Sequence, residues 1–199
     1  MSGNSTGYSG KTTISGGAIS VSAAGNLGAN PSSGAVDQLT LSGGGSLNVT
    51  TGFTGNANAG ITIGTGGGTI DVASGQTFTQ GGGLNGSAAL SKTGAGTLTL
   101  GTTAGNYSGT MTISGGIVRA NTSLTSATVT VANGGKLGGS GSLGGVTVNS
   151  GGRLTPGNSP GNLTVSSLTL EAGSGYDFEI NNVTGNAGTE WDLVTVGGG

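Results

Sequence analysis

The chain has 199 residues, 48 of them glycine, while Asp, Glu, Lys and Arg together make up only 6% and the formal net charge is −2. Cysteine and histidine are both missing, which excludes Cys/His zinc sites, thiol nucleophiles and histidine-based triads. Three prolines and no Gly-x-y period exclude collagen, and no apolar run reaches the ~20 residues of a membrane-spanning helix.

Two architectures compete for a chain so rich in glycine: low-complexity disorder and a repetitive all-β stack. Disordered segments are usually charged and poor in β-branched residues. Here Val, Ile, Thr and Leu are abundant and alternate in register, which favours the ordered reading. All five basic residues (Lys11, Lys92, Arg119, Lys136, Arg153) precede residue 160, and five of the seven acids (Glu171, Asp177, Glu179, Glu190, Asp192) follow it. Cations so scattered form no run able to neutralise phosphates, so no nucleic-acid partner is expected.

The opening Met1-Ser2-Gly3-Asn4 has neither the basic nor the apolar part of a secretion signal, and reads as an initiator on a fragment or the start of an internal repeat. Tyr8 to Val21, YSGKTTISGGAISV, returns at Tyr107 to Ala120 as YSGTMTISGGIVRA, with eight of fourteen positions identical at an offset of 99. Between them lie LTLSGGGSLNV (Leu39 to Val49), ITIGTGGGTIDV (Ile61 to Val72) and QTFTQGGGL (Gln76 to Leu84), the last with Phe78 expected inward.

The stretch from Leu90 to Ala120 states the pattern most fully. Leu98 and Leu100 should face one way and Thr97 and Thr99 the other, because side chains on a strand alternate. Met111 and Ile113 oppose Thr110, Thr112 and Ser114 in the same manner, and Gly115-Gly116 turns the chain. VTVANGGKLGG (Val129 to Gly139) and VTVNSGGRLTPG (Val146 to Gly157) repeat the strand, glycine corner and strand.

A five-residue strand with one apolar face cannot bury it alone. Taking Leu47, Ile70, Leu98, Val118, Leu137 and Leu154 as equivalent gives spacings of 23, 28, 20, 19 and 17, as for coils with variable corners. The expectation is an all-β parallel solenoid of about nine coils, a rod roughly 45 Å long at the spacing between paired strands, with no helix. Residues 1–160 form the repeat region. Residues 161–199 are richer in aromatics, with Tyr176, Phe178 and Ile180 alternating with Asp177 and Glu179 before Trp191, and are expected to be better-filled coils of the same stack.

LSKTGAGTLTLGTTAGNYSGTMTISGGIVRA resembles the passenger-associated repeat of bacterial autotransporters. Residues 8–21 look like the second half of another copy, and Gly64 to Thr79 is similar to the spacer between copies. Lys136 to Val165 resembles the family's terminal portion, with its L-x-PG-x-SPG-x-L-x-V turn at Leu154 to Val165. The resemblance implies a right-handed parallel β-helix exported through the inner membrane and passed outward through a C-terminal β-barrel. The chain is read as a fragment of such a protein, with signal peptide, barrel and any effector domain expected outside it.

Other motifs are weaker. Two G-x-G-x-x-G matches, Gly81 to Gly86 and Gly139 to Gly144, lack the strand-then-helix context that phosphate binding requires. Gly10-Lys11-Thr12 lacks the rest of a P-loop, and Asp71 after Gly66-Gly67-Gly68 is a single imperfect calcium nonapeptide where tandem copies are needed. Asp177 and Glu179 read as a solvated face rather than a glycosidase pair. The four Thr-x-Thr pairs (Thr77/Thr79, Thr97/Thr99, Thr110/Thr112, Thr128/Thr130) are spaced 20, 13 and 18 residues apart, which does not supply an ice-matching column. No catalytic, cofactor-binding or metal-ligating residue is assigned.

The function expected is therefore that of a non-enzymatic passenger or stalk segment, at a bacterial surface or secreted, supporting display and assisting outward translocation. The alternatives are an adhesive module for glycan or protein, an ice-binding solenoid, and a lyase-type enzyme with acids and cations clustered in a groove. Neighbouring coils of a longer protein are the expected partners, with a C-terminal barrel and end-to-end self-association beside them.

Overall fold

A strand with one apolar face can bury it by stacking on a copy of itself, and the computed structural model, which describes residue 3 and residues 5–197, shows that solution repeated along the chain. Among the described residues the strands form three sheets, of four, ten and seven strands, and every strand pairing is parallel. The four-stranded sheet holds Thr12–Ser15, Ala35–Ser42, Ala59–Ile63 and Leu84–Gly86. The long sheet runs from Ala18–Val21 to Leu193–Val196, and the seven-stranded sheet from Phe53–Thr54 to Gly175–Tyr176. The chain is thus an all-β parallel β-solenoid, with one 3₁₀ turn at Ala24–Leu27 as the helical exception among the described residues.

Inward side chains stack as ladders. On the long sheet Leu47, Ile70, Lys92, Ile113, Val131 and Val148 are successive register partners. On the seven-stranded sheet Phe53, Phe78, Leu98, Val118, Leu137, Leu154 and Tyr176 are. The equivalence drawn from spacing thus joined two columns: Leu47 and Ile70 belong to one sheet, Leu98 onward to another. The reason is visible in the two copies of the repeat. Thr12–Ser15 lies in the four-stranded sheet, whereas the matching Thr110–Ile113 lies in the long sheet. The phrase strand, glycine corner, strand encodes a corner without specifying which one.

Glycine is required at these corners for two distinct reasons. Gly66 and Gly67 both adopt positive φ (+84° and +74°), where a side chain would be strained. Gly105 passes so close to the Leu84 carbonyl that a Cβ would collide with it.

Among the described residues the turns number about six, fewer than the nine expected. The terminal turns are incomplete: Ala18–Val21 is followed by the 3₁₀ turn, Phe53–Thr54 and Gly175–Tyr176 are two residues each, and residues 177–192 leave the coil before Leu193–Val196 resumes. The aromatic-rich end is also not better filled. Tyr176, Phe178 and Ile180 are 37%, 47% and 50% exposed, since the Gly175–Tyr176 strand closes its sheet and none stacks beyond it. Phe178 instead makes ring contacts with Tyr176 and Trp191 at 6.0 and 6.2 Å.

Candidate functional site

Three polar features distinguish this solenoid from a plain stack of aliphatic ladders. The first is internal. Lys92 is fully buried between Ile70 and Ile113, where an aliphatic residue would serve. Its ammonium donates to the carbonyls of Thr93, Gly94 and Gly115 at 2.6, 3.0 and 3.2 Å, tying one corner to the next. Burial pushes its pKa down to about 8, with the charge of Asp71 opposing. Asp71 in turn accepts from the Thr93 hydroxyl at 2.8 Å. Tyr107, 1% exposed, brings its hydroxyl within hydrogen-bonding distance of the Ala88 and Thr110 carbonyls, and burial pushes its pKa up to about 12. Sequence reading overlooked Lys92, although its place two residues after Leu90 in an alternating run puts both on one face.

The second feature is a column of hydroxyls on the outside of the long sheet. Ser46, Thr69, Ser91, Thr112, Thr130, Thr147 and Thr169 are successive register partners, about 4.8 Å apart at the spacing of paired strands. The four Thr-x-Thr pairs do stack, but two by two on different sheets: Thr77/Thr79 on Thr97/Thr99, and Thr110/Thr112 on Thr128/Thr130. On the next rung the second column is interrupted by Gly145 before Ser167. A doubled threonine face therefore does not run the length of the rod.

The third feature is a groove of about 230 Å³ on the outside of the seven-stranded sheet. Arg119, on Gly116–Ala120, and Lys136, on Gly135–Gly139, come from adjacent strands, with Ile117 in register beside Lys136. Thr155 and Pro156, on Arg153–Pro156, continue the floor. One wall is the turn through Gly157 and Ser159; the other is Asp177 and Glu179. Cations that looked scattered in the linear sequence are thus gathered by coils only 17 to 19 residues long.

The walls are held from within. Asp192, 2% exposed, accepts from the backbone N–H of Gly161 at 2.9 Å with one oxygen and of Glu179 at 3.0 Å with the other. The Asp192 N–H donates back to the Glu179 carbonyl at 3.0 Å. Arg153 forms a bidentate pair with Asp177, whose carboxyl is held below its ordinary value by those hydrogen bonds, with the charges of Arg153 and Lys136 helping. Asn158 ties the turn to Asn121 at 3.0 Å. Asp177 and Glu179, read from sequence as a solvated face, are part of this wall.

The remaining motifs fall into the scaffold. The glycines of Gly81 to Gly86 lead into Leu84–Gly86, and those of Gly139 to Gly144 into Ser142–Val148, so neither opens a helix. Lys11 forms an ion pair with Asp37 at 2.7 Å on an exposed face. Among the described residues no three His, Cys, Asp or Glu side chains stand close enough to hold a metal, and no helix is long and apolar enough to cross a membrane. Comparison with family models, curated proteins and solved structures gives no match.

Proposed function

We propose that this chain is a non-enzymatic structural segment, the β-helical stalk of a secreted or surface-displayed bacterial protein of the autotransporter type. The observation that carries the proposal is the pair of inward ladders on the long and seven-stranded sheets, which extend across successive coils without a break in register. A solenoid of this kind transmits load along its axis because each coil is bonded to both neighbours through backbone hydrogen bonds. Coils that close one after another also suit a chain that emerges end first, since each finished coil presents a template for the next. The passenger-type motifs in Leu90 to Ala120 and Leu154 to Val165 support the same reading.

The test places the chain between an export signal and an outer-membrane translocator barrel and measures its exposure on intact cells by protease shaving. Folded, protease-accessible chain at the surface is expected. Retention in the periplasm at the level of an unrelated globular insert of equal length would overturn the proposal.

A further inference from the structure

We infer that the groove beside Arg119 and Lys136 is a binding site for a carboxylate-bearing saccharide, taking one uronate ring of a chain that lies across the coils. The inference goes beyond the stalk reading and does not depend on it.

The fold does not require these charges. The register partner of Arg119 on the preceding strand is Thr99, and Lys136 follows Ile117 and Thr97 in its column. Threonine or an aliphatic residue therefore fills the same outward positions elsewhere on the sheet. In a chain with only five basic and seven acidic residues, three cations and three acids nonetheless meet here.

Two of those cations keep donors to spare. Among the described residues the salt bridges are Lys11 with Asp37 and Arg153 with Asp177, so neither Arg119 nor Lys136 belongs to one. Arg119 makes one long contact, 3.5 Å to the Asn158 side-chain oxygen. Both are half-buried and line the groove, where a carboxylate would meet a planar guanidinium and an ammonium together.

The acids narrow the class further. A polyphosphate would gain from the two cations but carries no hydroxyl donors to offer Glu179, whose carboxylate would be left facing like charge. A neutral sugar would satisfy Glu179 through its hydroxyl donors but bring no counter-charge to Arg119 and Lys136. A uronate carries both a carboxylate and hydroxyls on one ring. At about 230 Å³ the groove is smaller than the about 300–1,000 Å³ pockets that enclose drug-sized ligands, which suits one ring of an extended polymer rather than a free-standing small molecule. Asp192 supplies the rigidity: by holding Glu179 and Gly161 at once it fixes both walls relative to each other.

The test is calorimetric titration of the intact chain with trigalacturonate, with the same trimer reduced to its neutral sugar, and with inorganic phosphate. Saturable binding of trigalacturonate is expected. It should weaken by at least about tenfold in the Arg119→Thr, Lys136→Thr double variant, which restores residue types found on neighbouring rungs, and stay unchanged in Lys11→Gln. Glu179→Gln should weaken the trimer while strengthening phosphate. The inference is overturned if trigalacturonate gives no binding, if the folded double variant binds it equally, if the neutral trimer binds as well, or if phosphate binds as tightly as the trimer, which would make this a general anion site.

Discussion

Tyr8 and Tyr107 make the same local bond in opposite surroundings. Each hydroxyl donates to the carbonyl three residues on, Tyr8 to Lys11 at 2.6 Å and Tyr107 to Thr110 at 2.9 Å, yet Tyr8 is 50% exposed and Tyr107 is 1% exposed. Both open copies of one repeat, so the local phrase sets the tether and the coil around it sets the burial.

Tyr107→Phe should therefore cost about 1–2 kcal/mol, since the carbonyls of Ala88 and Thr110 lose a buried donor, while Tyr8→Phe should cost less than about 0.5 kcal/mol. The pair is read by urea denaturation at pH 7. Equal losses in the two variants would show that the tether, not the burial, carries the stabilisation.

The same tyrosine and Lys92 predict an alkaline stability profile with a maximum near pH 10. Lys92 falls from 10.5 to about 8 on folding, so below pH 8 it is charged in both states and the folded chain bears the full cost of burying it. Between about pH 8 and 10.5 the folded state sheds a proton that the unfolded state keeps, and stability rises by about 3 kcal/mol. Tyr107, raised from 10.0 to about 12, acts in the other direction: its contribution is complete below pH 10 and is lost as pH climbs through 12. Lys92→Met should flatten the rise and Tyr107→Phe the fall. A wild-type profile level from pH 8 to 10.5 would contradict the burial of a charged Lys92.

Phe78 and Phe178 separate core from decoration. Phe78 is buried and packs its ring at a tilt against Phe53, 4.9 Å between ring centres, whereas Phe178 is 47% exposed. Phe78→Ala should cost about 3–5 kcal/mol. Phe178→Ala should cost less, about 1–2 kcal/mol, because nearly half of its surface stays in water on folding. Thermal unfolding of the two variants decides the matter. A large loss at Phe178 would restore the aromatic end as the stabilising template of the stack.

Leu98→Asp would place an unpaired charge in the ladder between Phe78 and Val118, and should abolish cooperative unfolding over several coils. Thr99→Ala, one residue away on the outer face, should change stability by less than about 0.5 kcal/mol. Limited proteolysis across Leu90 to Ala120 distinguishes the two. Native-like protection in Leu98→Asp would mean that the ladder tolerates local breaks.

The alternation of Leu98 and Thr99, the glycine corners and the parallel stack were legible in the chain because each is a local consequence of period two. The side of the coil a phrase occupies was not, since Ile14 and Ile113 sit at matching positions of the two copies yet on different sheets. Lys92 hid because lysine is ordinarily a surface residue, and only its three carbonyl partners make its burial tolerable. The groove could not be read at all: Arg119, Lys136 and Glu179 are brought together by coil lengths, which corner loops vary freely. Tyr176 and Phe178 misled for a related reason, as an inward position buries a side chain only where another coil covers it.

A corner phrase that fits either side of the coil also bears on how such rods change over generations. Recombination between the copies at residues 8–21 and 107–120 joins a strand of the four-stranded sheet to one of the long sheet, at a junction whose local bonds are already matched. The product would differ in length and would also present everything downstream from a different azimuth about the axis. One genetic event would thus lengthen the rod or shorten it, and turn its outer faces toward new neighbours, without any residue of the core having to mutate.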